Sequence, residues 1–354
     1  MKRIVLTGGG TAGHVTPNIA LIPQLKKEGY DIHYIGTYDG IERKLIEDLG
    51  IPYYGISSGK LRRYLDVKNF TDPFKVVKGY FQAKSLMRQL KPNIVFSKGG
   101  FVTVPVILSA HRCKIPTIIH ESDMTPGLAN RLCLSSADKV CTNFPETIQN
   151  LPKDKAVLTG SPIRQELFQG NKKKGIEFCG LSMNKPTILI IGGSLGSVAV
   201  NNAVRNALAE ILKTFQVIHL CGKGKLDSSL NHTPGYVQYE YIKDELSDLL
   251  AAADIVISRA GANAICELLA LRKPNILIPL SAASSRGDQL LNAASFKRQG
   301  FSYVIEEERV NNDTLLRAIE QVYDNRDEYT KKMKESKLND SIQTIVNLIE
   351  KIKK

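Results

Sequence analysis

Lys2-Arg3-Ile4-Val5-Leu6-Thr7-Gly8-Gly9-Gly10-Thr11-Ala12-Gly13-His14 is an apolar, β-branched run that breaks into glycines. A helical pattern follows at 16–28. Far along the chain the device returns as Thr187-Ile188-Leu189-Ile190-Ile191-Gly192-Gly193-Ser194, followed by a helical pattern at 197–212. A strand, a glycine turn and a helix, started twice, predict two doubly wound α/β domains. The rest of the 354 residues fits. Strands are expected at 2–6, 31–35, 52–56, 94–98, 117–120 and 139–142, then at 187–191, 216–220, 236–239, 255–258, 275–278 and 303–305. Helical patterns between them include 42–48, 71–90, 262–270, 289–299 and 312–325. Twelve strands are too many for one open sheet of ordinary size. Phe168 to Lys185, with its Lys172-Lys173-Lys174 run, shows little periodicity and reads as the join. The expected division is 1–160, 161–340 and a final helix within 341–354 that can pack on either domain, the first among them. In open α/β sheets ligands lie beyond the carboxyl ends of the strands. Two facing Rossmann-like domains therefore place the expected site in an interdomain cleft.

Composition narrows the functional classes. The chain is 43% hydrophobic and 23% charged, as in ordinary globular proteins. No apolar run reaches the ~18 residues of a membrane-spanning helix, and Met1-Lys2-Arg3 leads into a strand rather than a signal peptide. The six cysteines are scattered, with no C-x-x-C, and read as small buried residues in a reducing compartment. The net charge is +13, of which residues 1–164 carry +10 and residues 165–354 carry +3. Residues 60–91 hold nine basic and two acidic side chains, interleaved with Tyr64, Phe70, Phe74, Val77, Tyr80 and Phe81. Phe70, Phe74, Val77 and Phe81 recur at helical spacing, which is first of all the pattern of a core-facing stripe. The same segment also suits an anionic lipid surface. RNA would need similar charges, but no RNA-binding motif is present.

Gly8-Gly9-Gly10-Thr11-Ala12-Gly13 matches G-x-G-x-x-G after a strand and before a helix. A dinucleotide site also wants an acid at the end of the second strand, and that strand ends in Gly36-Thr37. What remains is a turn suited to phosphate, or simply a tight βα connection. His14 follows the turn, where partial positive charge disfavours imidazolium, and is a candidate general base. Lys98-Gly99-Gly100-Phe101 is a second strand-end glycine pair. His120-Glu121-Ser122-Asp123 ends the next strand, and its carboxylates read equally as chemistry or as loop capping. Gly192–Ser197 is another anion-seating turn without a Walker lysine. Ser258–Glu267 is a strand end, a glycine turn and a helix start, with Glu267 as dipole compensation or as an acceptor for a sugar diol. Ser284-Ser285-Arg286-Gly287-Asp288-Gln289 opens a further helix. Hydroxyl-reading groups beside phosphate seats suggest a nucleotide sugar.

Together these motifs resemble the MurG family, the peripheral-membrane N-acetylglucosaminyltransferases of peptidoglycan synthesis. The resemblance rests on Gly8–Pro17, Lys98–Phe101, His120–Asp123, Gly160-Ser161-Pro162-Ile163-Arg164, Gly192–Gly196, Ser258–Glu267 and Arg286–Gln289, in that order along nearly the whole chain. It implies a GT-B fold and transfer of GlcNAc from UDP-GlcNAc to the MurNAc 4-hydroxyl of lipid I, with inversion. The first domain would take the acceptor and the second the donor. Arg164 and Ile242 would lie near the uracil, Glu267 on the ribose, Ser194 on the diphosphate, and Ala262, Asn263 and Ala264 along the sugar and diphosphate. Asp288, often Gln in relatives, and Gln289 would read the GlcNAc. Gly10, Thr11, Ala12, Gly13, Gly99 and Gly100 would face the acceptor diphosphate. His14, Asp123 and Glu121 are the candidate catalytic groups, Asp123 standing where many relatives have Asn. No D-x-D tripeptide occurs, which fits a metal-independent donor site, and no cofactor is expected. Nucleic acid is not an expected partner. An anionic inner-leaflet surface is expected on the cytoplasmic side, together with other cell-wall synthesis proteins. A diacylglycerol glycosyltransferase, an NAD-dependent oxidoreductase and an RNA-binding protein remain the competing readings.

Overall fold

The computed structural model describes residues 2–59, 68–193, 196–282, 287–336, 338 and 340–353, with the backbone alone for 68–73. The chain forms two compact units. Unit 1 comprises Met1–Arg164 with Asp340–Lys354, and unit 2 comprises Gln165–Asn339. The boundaries thus fall four residues beyond the expected 160 and one before the expected 341.

Unit 1 is a parallel sheet of β1 (Lys2–Thr7), β2 (Tyr30–Thr37), β3 (Tyr53–Ile56), β4 (Ile94–Ser97), β5 (Thr117–Glu121), β6 (Lys139–Thr142) and β7 (Ala156–Leu158). Their order is β3-β2-β1-β4-β5-β6-β7. β7 is absent from the sequence reading because three residues are too few to show a period. The helices are α1 (Thr16–Lys27), α2 (Ile41–Glu47), α3 (Lys68–Leu90), α4 (Thr103–Arg112), α5 (Leu128–Cys133) and α6 (Pro145–Ile148). The central strands are buried on both faces, as the unbroken Ile4-Val5-Leu6 and Ile94-Val95-Phe96 runs require. One face packs Leu21, Leu25 and Ile46, the other Ala83, Val106 and Ile107.

Unit 2 repeats the plan with β8 (Thr187–Ile191), β9 (Gln216–Leu220), β10 (Tyr236–Tyr239), β11 (Ile255–Ser258), β12 (Asn275–Leu277) and β13 (Tyr303–Val304). The order is β10-β9-β8-β11-β12-β13, again parallel. Its helices are α7 (Lys172–Phe178), α8 (Val198–Thr214), α9 (Leu246–Ala252), α10 (Ala262–Ala270), α11 (Asp288–Arg298), α12 (Asn312–Asp324) and α13 (Arg326–Lys334). The expected unstructured join is corrected here. Residues 172–178 form α7, capped by the Asn171 side chain, and Gly175 lies against the backbone of Asp248 in the first turn of α9. The lysine run hides the period because only Gly175 and Ile176 of this short helix are buried.

The last helix, α14 (Ser341–Ile352), returns to unit 1. Ile345, Val346 and Ile349 enter the core beside α1. Ser341 Oγ donates to the Ser161 carbonyl at 2.6 Å, and Glu350 accepts from Tyr30 Oη at 2.6 Å and Lys2 Nζ at 3.0 Å. No described helix is long and apolar enough to cross a membrane.

α3 overturns one expectation. Phe74, Val77 and Phe81 are 78, 55 and 61% exposed, whereas Ala83, Met87 and Leu90 are buried. Gly79 explains the rotation. A Cβ there would lie 2.1 Å from the Ser57 carbonyl oxygen, so the helix approaches the body of unit 1 along its small residues. The aromatic stripe is turned outward. Phe70 is not described beyond its backbone, and Lys60–Val67 lie outside the described residues.

Candidate active site

In each unit the strand order reverses at one place, between β1 and β4 in unit 1 and between β8 and β11 in unit 2. At such a switch point the two following loops part and leave a crevice at the strand tips. The glycine turns quoted above are the loops in question.

In unit 1 the turn after β1 meets the turn after β4. The Gly9 amide donates to the Gly99 carbonyl at 3.4 Å. Gly100 has φ +93°, and a Cβ on it would lie 2.3 Å from the Gly9 carbonyl oxygen; only glycine permits this approach. Gly10, Thr11 and Ala12 are exposed at the rim, while Gly99 is buried. The turn is pinned from below. Tyr34 Oη donates to the Gly8 carbonyl at 2.8 Å. Glu42, fully buried on α2, accepts from the Gly10 amide at 3.2 Å and from Thr37 N and Oγ1 at 3.0 and 2.6 Å. The protein's own carboxylate therefore occupies the end of β2, where a dinucleotide site would need to receive ribose.

His14 lies in the short 3₁₀ turn Ala12–His14 ahead of α1. Its Nδ1 is 3.0 Å from the Gly9 carbonyl oxygen and 3.1 Å from Thr11 Oγ1. A carbonyl can only accept, so Nδ1 carries the hydrogen and Nε2 keeps its lone pair. Burial pushes the His14 pKa below its ordinary value of 6.5, and the Lys98 charge lowers it further. The ring is thus held neutral with a basic nitrogen, as a general base near neutral pH requires.

Lys98 is itself buried at the tip of β4. Its Nζ donates to His120 Nδ1 at 2.7 Å and to Ser122 Oγ at 2.6 Å, and His120 Nε2–H donates to the Gly160 carbonyl at 2.9 Å. Burial, then the Lys98 charge, holds the His120 pKa well below the ordinary range. That histidine is a neutral link between β5 and the 159–164 segment. Glu121, also buried, accepts from the amides of Asp123 and Gly127 at 3.0 and 2.9 Å and from Asn130 Nδ2 at 2.8 Å. Burial raises its pKa. Of the two readings left open by the sequence, this geometry favours loop organisation for Glu121, which shapes residues 122–127 around Asp123. Asp123 is half-buried in that loop. Asn130 gives Nδ2 to Glu121 and to the His120 carbonyl, while its buried Oδ1 has no hydrogen-bond partner among the described residues. A Cβ at Gly99 would stand 3.6 Å from both amide atoms and from His14 Cδ2. Glu42 and Asn130 escaped the sequence reading because each sits in a helix beside other polar residues, with nothing in the local pattern to mark it as buried.

In unit 2 the Gly192–Ser197 turn precedes α8. Gly196 has φ +68°, and a Cβ there would be 1.9 Å from the Cys221 carbonyl oxygen. Ser197 caps α8 by accepting from the Val200 amide at 3.3 Å. Gly196 and Ser197 thus lead into the positive end of a 17-residue helix close to the strand tips. Ser194 lies outside the described residues, as does Arg286. At the adjoining tip Gly261 leads into α10. Ala262 is buried, and Asn263, Ala264 and Glu267 are half-buried on one face, three and four residues apart, opposite the core residues Ile265, Leu268 and Leu269. Asp288 is the first residue of α11, and Gln289 Oε1 accepts from the Leu280 amide at 3.0 Å. Ile242 is half-buried in the loop after β10. Arg164, half-buried, was expected within the donor domain that starts at 161 but is instead the last residue of unit 1 before the chain enters unit 2. The described residues among those predicted therefore fall at two sets of strand-end loops, one in each unit, with Arg164 at the end of unit 1.

Residues 4–142 match the glycosyltransferase family 28 N-terminal domain, and residues 187–348 match the C-terminal domain. A protein of Lachnoclostridium phytofermentans named UDP-N-acetylglucosamine--N-acetylmuramyl-(pentapeptide) pyrophosphoryl-undecaprenol N-acetylglucosamine transferase is 70% identical over 353 residues, covering 100% of this chain and 99% of that one. The protein of the same name from Clostridium botulinum strain Loch Maree is 59% identical over 354 residues, with both chains fully covered. The crystal structure of Acinetobacter baumannii MurG aligns with a TM-score of 0.77 at 27% identity, covering 99% of this chain and 100% of that one. A Neisseria meningitidis UDP-GlcNAc 2-epimerase solved with UDP-GlcNAc shares the fold at a TM-score of 0.70 and 14% identity, covering 99% and 100%. Two doubly wound units, both domain matches and full-length relatives at this identity agree: the chain belongs to the MurG family of glycosyltransferase family 28 and has its GT-B fold.

Proposed function

We propose that the chain moves GlcNAc from UDP-GlcNAc to the MurNAc 4-hydroxyl of lipid I (undecaprenyl-pyrophosphoryl-MurNAc-pentapeptide), giving lipid II with inversion. The observation that carries the reading is the 70% identity to a transferase of that name over the whole chain. His14 supplies the chemistry in unit 1. Its Nε2 takes the proton of the acceptor hydroxyl as that oxygen attacks the anomeric carbon. The bond from that carbon to the phosphate oxygen breaks, and its electron pair leaves with UDP. Unit 1 takes the acceptor, with Gly10–Gly13, Gly99 and Gly100 toward its diphosphate. Asp123, in the loop that Glu121 orders, is the rival base.

Unit 2 takes the donor. The Gly192–Ser197 turn and the α8 N-terminus stabilise charge on the departing diphosphate through backbone N–H groups, with Ser194 assigned to the same anion. Glu267 accepts from the ribose hydroxyls. Ala262, Asn263 and Ala264 line the sugar and diphosphate, Asp288 and Gln289 read the GlcNAc, and Arg164 and Ile242 flank the uracil. The direct test supplies radiolabelled UDP-GlcNAc with lipid I in one arm and diacylglycerol in the other. Label is expected in lipid II alone. Transfer to diacylglycerol with none to lipid I would replace this reading by the other lipid glycosyltransferase.

The pH dependence has a defined sign. Neutral His14 is the active form, so kcat/KM falls as pH drops through its pKa, and this acid limb is expected below pH 6.5. Lys98→Met removes a charge that disfavours imidazolium, so the limb should move to higher pH. A limb that stays in place would remove Lys98 from this account.

The exposed Phe74, Val77 and Phe81, beside exposed Lys75, Lys78 and Arg88, support peripheral attachment of unit 1 to an anionic membrane surface at its cytoplasmic face. Phe74→Ser with Phe81→Ser is expected to weaken co-sedimentation with phosphatidylglycerol-containing vesicles about tenfold or more while leaving the melting temperature unchanged. Equal binding by the double variant would rule this helix out.

A further inference from the structure

We infer that Glu307 is a positioning residue for the donor seat, acting through Arg259; the inference rests on the assignment of the donor to unit 2. Glu307 opens the short 3₁₀ turn Glu307–Arg309 after β13. It lies on none of the glycine motifs. One of its carboxylate oxygens accepts from Arg259 Nη2, and the other accepts from the Ser281 amide at 3.2 Å. The two side chains are only 11 and 16% exposed, Arg259 and Glu307 respectively. Arg259 spends the rest of its guanidinium on the neighbouring tips. Nη1 donates to the Ile278 and Pro279 carbonyls at 3.1 and 3.3 Å, and Nη2 donates to Ser197 Oγ at 2.6 Å.

One buried ion pair thus ties together the loops that follow β8, β11, β12 and β13. Two of these ties reach groups assigned to the donor. Ser197 is the cap that shapes the start of α8, where the donor diphosphate is assigned. The 278–281 segment holds Gln289 through the Leu280 amide. A guanidinium fork needs a planar acceptor to fix its orientation, and Glu307 is the acidic partner seen here. Without it Arg259 could turn, and the Ser197 hydroxyl and the 278–281 backbone would lose their common support.

The test is Glu307→Gln, which keeps the shape but turns one of the two acceptors into a donor. UDP affinity is measured by calorimetry, and the KM values for UDP-GlcNAc and lipid I are measured separately. The expected result is UDP binding weakened about tenfold, a matching rise in donor KM, kcat at saturating donor within about twofold, and an unmoved acceptor KM. A merely structural role would lower the melting temperature and both KM terms would move together. Ser197→Ala supplies the second arm. If Glu307 acts through Arg259 and Ser197, the two losses in UDP affinity are less than additive in the double variant. Additive losses, or unchanged UDP binding in Glu307→Gln, overturn the inference. So does tighter UDP binding, the outcome expected if releasing the Arg259 charge toward the diphosphate mattered more than its orientation. Glu267→Gln separates the inference from the reading beneath it. Weakened UDP binding there with none in Glu307→Gln overturns the inference alone, whereas no effect in either variant overturns both.

Discussion

His14→Ala is expected to lower kcat for GlcNAc transfer by about 10²–10⁴-fold, the range for removing a general base, with UDP affinity unchanged. The expectation follows from one hydrogen bond. The Gly9 carbonyl fixes the hydrogen on Nδ1, so the nitrogen left to work is Nε2. Burial and the Lys98 charge keep the ring neutral without any acidic partner having to orient it. His14→Gln is a useful companion, since an amide fills similar space but cannot accept a proton at these pH values. Quench-flow measurement of lipid II formation at saturating substrates reports the chemical step. A His14→Ala enzyme with near-normal turnover would transfer the role to Asp123. The same measurement on Asp123→Asn would then show the loss.

Glu267→Ala is expected to raise the KM for UDP-GlcNAc by about 10²-fold and to weaken UDP binding in proportion. Hydrogen bonds to a charged group contribute about 1.5–3 kcal/mol each, and a carboxylate facing a ribose diol accepts two. The rest of α10 gives the substitution little reason to unfold the protein. Ile265, Leu268 and Leu269 hold the helix to the core, and the half-buried Glu267 lies on the opposite face. Calorimetric titration with UDP, and with the deoxyribose analogue dUDP, tests the assignment. The wild type should discriminate between the two nucleotides and the variant should not. Discrimination that survives in Glu267→Ala would move the ribose contact elsewhere.

The two-unit architecture was legible because parallel strands buried on both faces leave unbroken apolar runs, and because each run ends in glycines where the chain must turn sharply. Ile4–Leu6 and Thr187–Ile191 declare their strands without help from distant residues. Gly100 and Gly196 mark places where another backbone comes within reach of a Cβ. Elements without such a signature went unread. β7 is too short to show alternation, and α7 buries too few of its residues to show a stripe. The aromatic stripe of α3 was misread for a related reason. Periodicity locates a face of a helix, but it does not say whether that face meets the core or the solvent, and the contact made by Gly79 decides this.

The candidate site divides in the same way. Its glycine turns, His14, and the Asn263–Glu267 helix start could be placed from sequence, since each follows a strand end. The partners that define their chemistry could not. The Gly9 carbonyl sets the His14 tautomer, Glu42 comes from α2 to pin the first turn, and Glu307 lies 48 residues from the arginine it orients. Sequence alone determined that this chain builds two parallel sheets with glycine turns at the tips of their central strands, because those facts depend on neighbours a few residues away. Only the tertiary structure decided which nitrogen is basic, which carboxylates are committed to holding loops, and which helix face remains uncovered. Hydrogen bonding and burial between distant segments set all three.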